Sequence, residues 1–459
     1  MWHSSKSIIF VTIISMEIIH GLHAMSISIY PEKFEENLNI YLGEPMDKCD
    51  NQKDENVQLV NMGLSSVTEN FITSVNVKSI NLEDNNIVYI SPNAFKAVPN
   101  LSCLNIRRNN VNNIFNVFLK SFNHTLLNKL NLAQSIFKKT SSEDFSFEIL
   151  DRSITTKNIE ASSKMYLPYV THLDLSDNNL EALPEYIKTS FPRLTHLYLS
   201  DNNLRSFNFI PPTTEYLYLE RNRAYVDLTI FPKNINGLFL NDNKFNNFMK
   251  NYENLRILSI RNCSDVLYYI KYLNKGKLVD LDISSNRLND IQINFFRDAK
   301  YLKRLSLDRN SLSSLSFLTH LVSLTNLSIA YNKLINIKSD FFVNLKNLQT
   351  LNLRGNRIEN IDKDAFLNLR MLEKLDLAEN NLSTLPVTWM NTLTGLRYLN
   401  LKSNSFSSID STSIYAYSNL NQLFLGNNNF IQIDMESLMK LPSTVIVHVS
   451  SINNSTCVT

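Results

Sequence analysis

The residues whose types and spacing could do chemistry are two histidines, His172 and His196. They hold equivalent positions 24 residues apart, in "THLDLSDNNL" and "THLYLSDNNL". Two imidazoles brought together can bind a metal or respond to pH. A zinc site needs three or four ligands, and the sequence offers this pair no third, so it reads as two surface residues with no metal. Beside them stand Tyr198, then Tyr216 and Tyr218 in "EYLYLERN", and Phe239 in "NGLFLNDN". Aromatic residues dominate binding hot spots because they bury a large area at little entropic cost. They also favour strands, where a neighbouring pair adds about 0.2–1 kcal/mol, so a binding patch and plain strand chemistry both stay open. Catalytic signatures are missing. The chain has no glycine-rich phosphate loop, no G-x-S-x-G, no H-E-x-x-H, no paired C-x-x-C, and only 8 glycines. The expectation is a binding protein, with no enzyme activity and no cofactor.

A net charge of +2 with 19% charged residues leaves no basic stripe for a phosphate backbone, so nucleic acid is not an expected partner. Residues 1–24 place Lys6 ahead of an apolar stretch from Ile8 to Ile19, followed by small residues near Ala24. That is the layout of a secretory signal peptide, with an uncleaved anchor as the alternative. No later run is long enough to span a bilayer. A secreted, extracellular chain is therefore expected, with glycan acceptors at Asn100, Asn123, Asn262, Asn326, Asn381, Asn453 and Asn454. In an oxidising compartment, the four cysteines suggest two arrangements. Cys457, near the end of the chain, is placed for an interchain disulfide and hence a disulfide-linked dimer, while Cys49 and Cys103 form a candidate internal pair.

The elements that position these residues recur along the chain. The pattern L-x-x-L-x-L-x-x-N-x-L fits "VTHLDLSDNNL" (170–180), "LTHLYLSDNNL" (194–204), "LKRLSLDRNSL" (302–312), "LQTLNLRGNRI" (348–358), "LEKLDLAENNL" (372–382) and others, with weaker copies from residue 77. This is the leucine-rich repeat. Its L-x-L core is one strand of a parallel sheet. A single strand cannot bury its own leucines, so successive units must stack. The residue between the two leucines then points to the other, concave face, where Tyr198, Tyr218 and Phe239 are expected to be exposed together. A column of asparagines, including Asn202, Asn332 and Asn428, should satisfy backbone groups where the chain leaves each strand. Cys263 occupies that column in one repeat and reads as a buried substitute.

Spacing within the column is 24 residues from Asn332 to Asn428, room for a short convex turn around a buried Phe. Between Asn202 and Cys263 it shortens to 20, 21 and 20 residues, which calls for an extended return. The expected fold is an α/β leucine-rich repeat solenoid, a horseshoe with a concave parallel sheet and short helices or extended segments behind it. Four segments are expected: a signal peptide at 1–24, an N-terminal segment or cap at 25–56, an array of about 16 units at 57–450, and a tail at 451–459. Residues 136–169 break the pattern and read either as one degenerate repeat plus a loop, the favoured reading, or as a surface insertion.

The 24-residue units, the asparagine column and the signal sequence resemble the extracellular leucine-rich repeat superfamily, in the style of insect secreted leucine-rich immune proteins and Toll-type ectodomains. The resemblance implies recognition of an extracellular protein ligand through the concave face, with innate immunity as the setting. The alternative it implies is the ectodomain of an adhesion or Toll-type signalling receptor. Cysteine-rich caps usual in such proteins are not matched by the four cysteines here.

Overall fold

The computed structural model describes residues 27–28, 55–109, 124, 126–135, 167–183 and, apart from a few single positions and short gaps, 187–449. The signal sequence, most of the N-terminal segment, the tail, Cys49, Cys457, Asn123, Asn453 and Asn454 lie outside them.

The described residues build a right-through parallel sheet of 18 strands, one strand of about three residues per repeat. Neighbouring strands align leucine to leucine, as in Leu197↔Leu217, Leu217↔Leu238 and Leu351↔Leu375. Those leucines are fully buried, and a single core runs the length of the array. This is the leucine-rich repeat solenoid expected. On its outer side, the last strand, Ile446–His448, pairs with Ile27–Ser28.

After each strand the backbone turns through a left-handed residue immediately before the asparagine column, from Asp84 through Arg221 and Tyr331 to Asn427. An L-residue pays about 1 kcal/mol or more for that conformation. The cost is offset because its N–H reaches the next repeat, as from Arg221 to the Asn241 carbonyl at 2.9 Å and from Tyr331 to that of Arg354 at 2.7 Å. At Gly355 the left-handed turn coincides with a close approach, since an added Cβ would lie 2.3 Å from the Tyr331 ring. The column then stitches repeats together. Asn202 accepts from the N–H groups of Asn178 and Leu180 and donates to the carbonyls of Leu175 and Leu199. Cys263 fills its column position as a buried thiol, with Sγ 3.2 Å from the Arg261 carbonyl and its own N–H on Asn286. Burial pushes this thiol up to about 11.

The convex side is mostly successive turns rather than helices. Phe342, Phe366 and Trp389 are buried there in sequence, and the Trp389 indole N–H donates to Thr412 at 3.1 Å. Short parallel pairs also lie outside the main sheet: Tyr225–Asp227 with Lys244–Asn246 in the short repeats, and Asn336–Ile337 with Asn360–Ile361 and Ser66–Val67 with Tyr89–Ile90 elsewhere.

Across the irregular stretch, the strand Lys129–Asn131 pairs directly with His172–Asp174. The Ser135 N–H likewise reaches the Asn178 side chain at 2.8 Å. In-register pairing makes these two described strands immediate neighbours in the sheet. Residues 136–166 lie outside those described.

Candidate binding surface on the concave face

Strand alternation sends the residues flanking each central leucine to the concave side. Because the strands are parallel and in register about 4.8 Å apart, equivalent side chains meet face to face. His172 pairs with His196, and His196 with Tyr216. Their rings stack with centroids 4.0 and 4.5 Å apart and planes within 11°. The next position along each strand carries a second stack, Tyr198 on Tyr218 at 4.2 Å and Tyr218 on Phe239 at 4.3 Å. The first stack ends at Gly237, opposite Tyr216, where a Cβ would fall 2.6 Å from the tyrosine ring.

All six aromatic positions picked from the sequence therefore come together, with one correction. Tyr198 and Tyr218 are each 8% exposed and Phe239 is 1% exposed, so the expected open tyrosines are buried. Alternation fixed their face correctly. The rings cover one another, and with Tyr216 and Ile257 they form a small apolar cluster apart from the main core. His172, His196 and Tyr216 keep partial exposure and form the accessible part of the surface.

Polar groups fix these rings. Thr171 and Thr195 each place a hydroxyl 2.9 Å from Nδ1 of the following histidine. Burial lowers the His196 pKa, opposed by the nearby Glu215 carboxylate and reinforced by Lys129. Burial, then the neighbouring Tyr198, raises the Tyr218 phenol well above its ordinary value. Glu220 accepts from the Ser200 hydroxyl, and burial raises its pKa. Arg221 makes a two-point pair with Asp201 at 2.6 and 2.7 Å. Among the described residues, no three His, Cys, Asp or Glu side chains gather as a metal site.

A second aromatic group was not singled out from the sequence. Tyr398 lies 5.0 Å from Phe424, which stacks on His448 at 4.2 Å. Phe424 shares the central concave column with Tyr198. His448, in "VIVHVSS", fits the template too poorly to mark its strand. Between the two groups the face is polar. Asp376 is buried there, and burial raises its carboxyl to about 6, opposed by the Ala378 N–H and Arg354.

Asn100, Asn262 and Asn381 are exposed, and Asn326 is half-buried on the concave face between Arg304 and Thr350. Cys103, although outward on its strand, is buried and disulfide-bonded, while Cys263 is free. No helix among the described residues is long and apolar enough to cross a membrane.

None of the curated proteins matches the chain significantly in sequence. Among solved structures, a leucine-rich repeat protein of Leptospira interrogans shares 21% identity, with a TM-score of 0.53, over 86% of this chain and 95% of its own. A chain of the Toll–Spatzle complex from Drosophila shares 20% identity, with a TM-score of 0.56, over 81% of this chain and 50% of its own. At these identities the likeness is one of fold. Family profiles described as leucine rich repeat match residues 276–334, 322–382, 370–430 and 394–454, a two-copy profile matches 170–212, and a BspA-type leucine rich repeat region matches 49–148. With these matches falling on the stacked strands and asparagine column, the chain belongs to the leucine-rich repeat superfamily.

Proposed function

We propose that this is a secreted recognition protein that binds an extracellular protein ligand through its concave face, at the surface built on the His172–His196–Tyr216 and Tyr198–Tyr218–Phe239 stacks. The observation that carries the reading is the placement of six rings on the sheet face away from the main core. Core packing does not require them there. Buried rings beside partly exposed ones make a rigid platform, which lowers the entropic cost of binding. The layout of residues 1–24 supports secretion, and the sequons at Asn100, Asn262, Asn326 and Asn381 agree with it. Resemblance to insect leucine-rich immune proteins and Toll-type ectodomains supports innate immunity as the setting.

The test compares partner recovery from body fluid by the wild-type chain and by His196→Ala/Tyr216→Ala, which changes accessible rings and leaves Tyr198, Tyr218 and Phe239 in place. Recovery should fall at least about tenfold, the loss expected from removing hot-spot side chains, with an unchanged thermal melt. Equal recovery by both proteins would refute the concave site.

A further inference from the structure

The strands and turns that carry the ring stacks are rich in carboxylates, with Lys129 of the preceding strand near His196. In the strands and following turns 171–178, 195–202, 215–222 and 236–243, six carboxylates (Asp174, Asp177, Asp201, Glu215, Glu220 and Asp242) accompany one guanidinium, Arg221. Arg221 is held by Asp201. Asp177 and Asp242 are exposed, and Glu215 is partly so. The next repeat brings Arg256 and Arg261 and no carboxylate in the corresponding stretch 256–263, and Arg261 lies 3.6 Å from Asp282 of the repeat after it.

Stacking also decides what part of each ring is offered. His196 and Tyr218 have a neighbouring ring on both faces. Sugars and nucleobases, which bind aromatic residues through open faces, find those faces occupied. For these two rings what remains is apolar edge, on strands and turns that also carry the carboxylates. Lysine and arginine match that combination, because their methylene stems lie on apolar surface while the charged head reaches an acceptor.

We infer that the partner docks on the stacks through a cationic segment, a protein surface or peptide stretch whose Lys and Arg heads reach Asp177, Glu215 and Asp242 while their stems cover the edges of His196 and Tyr216. This rests on the concave-face reading above. Opposite charge across the interface should make association fast and salt-sensitive.

A random dodecapeptide display library panned on the full chain tests this. Selected peptides are then measured on Asp177→Asn/Glu215→Gln/Asp242→Asn and on His196→Ala/Tyr216→Ala, each checked by thermal melt. Net-positive peptides should be enriched, should weaken about tenfold on the carboxamide variant, and should weaken further as salt rises. Neutral or acidic peptides that bind the carboxamide variant normally but lose binding on the ring variant would overturn the cationic partner and leave the concave site standing. Peptides indifferent to both variants would remove both. Failure to enrich basic peptides, or basic peptides indifferent to the carboxamide variant, also counts against the inference.

Discussion

Thr171 and Thr195 determine which nitrogen of each neighbouring histidine takes up a proton. Each hydroxyl also lies within reach of a carbonyl in the preceding repeat, Asn128 at 3.3 Å and Thr171 at 3.2 Å. In a repeat without histidine, Ser102 donates to the equivalent carbonyl, that of Lys78, at 3.1 Å. A hydroxyl has one proton to give, so with that proton on the carbonyl, Nδ1 carries hydrogen toward the threonine and Nε2 titrates. His196 is lowered in the fold, with Lys129, Glu215 and the His172 and Tyr216 rings around it. The folded chain then binds fewer protons than the unfolded one as pH falls below the ordinary histidine value, and stability drops. His196→Gln should shrink the fall in melting temperature between about pH 7 and 5 expected for a histidine titration. Asp376 has the opposite sign. Raised to about 6, it holds its proton more tightly when folded, so its ionisation costs stability as pH climbs from about 4 to 6. Asp376→Asn should stabilise the neutral protein by on the order of 2 kcal/mol and flatten that stretch of the stability profile; a variant no more stable at pH 7 than at pH 4.5, relative to wild type, would contradict this. The residues of both stacks were legible from alternation alone. Their burial was not, because alternation names a face and says nothing of how side chains on that face cover one another, which here depends on register and on Gly237.

The strand, left-handed turn and asparagine form one mechanical unit. Asn356 accepts from the Leu334 N–H at 3.1 Å and donates to the carbonyls of Ile329 and Leu353 at 2.9 and 3.0 Å. Asn356→Leu strands those groups inside the core, at about 1–3 kcal/mol each. The expected result is a clear drop in urea midpoint, with faster amide exchange concentrated in the repeats on either side; exchange accelerated evenly along the chain would speak against a local stitch. Such locality follows from an array whose repeats touch only their neighbours. The repeat itself was readable because many copies agree in leucine and asparagine spacing. Residues 136–169 read as a degenerate repeat plus a loop because the 43-residue step from Ser135 to Asn178 approximates two ordinary units. Chain length cannot distinguish a weak strand from a loop; the pairing of Lys129 with His172 shows which strands meet across the stretch.

For the whole molecule, the cysteines limit how chains can be joined. Cys263 is buried and free, and Cys103 is disulfide-bonded to a residue outside those described, so Cys49 and Cys457 supply one partner between them and one thiol remains. We propose that Cys49 bonds Cys103 and that Cys457 links two chains. Non-reducing electrophoresis of the full chain should then show a dimer that Cys457→Ser abolishes, and a monomer with alkylatable Cys457 would end the idea. The stacked rings have a further consequence, for how this surface can change over generations. Tyr218 is held between Tyr198 and Phe239, so a substitution there exposes two neighbours at once, whereas a change at either end disturbs one. Double-mutant cycles across the stack should show coupling of about 0.5–1.5 kcal/mol per adjacent pair. Descendants of this surface would therefore be expected to alter binding preference from the stack ends inward, with the middle ring changing only after its neighbours have made room.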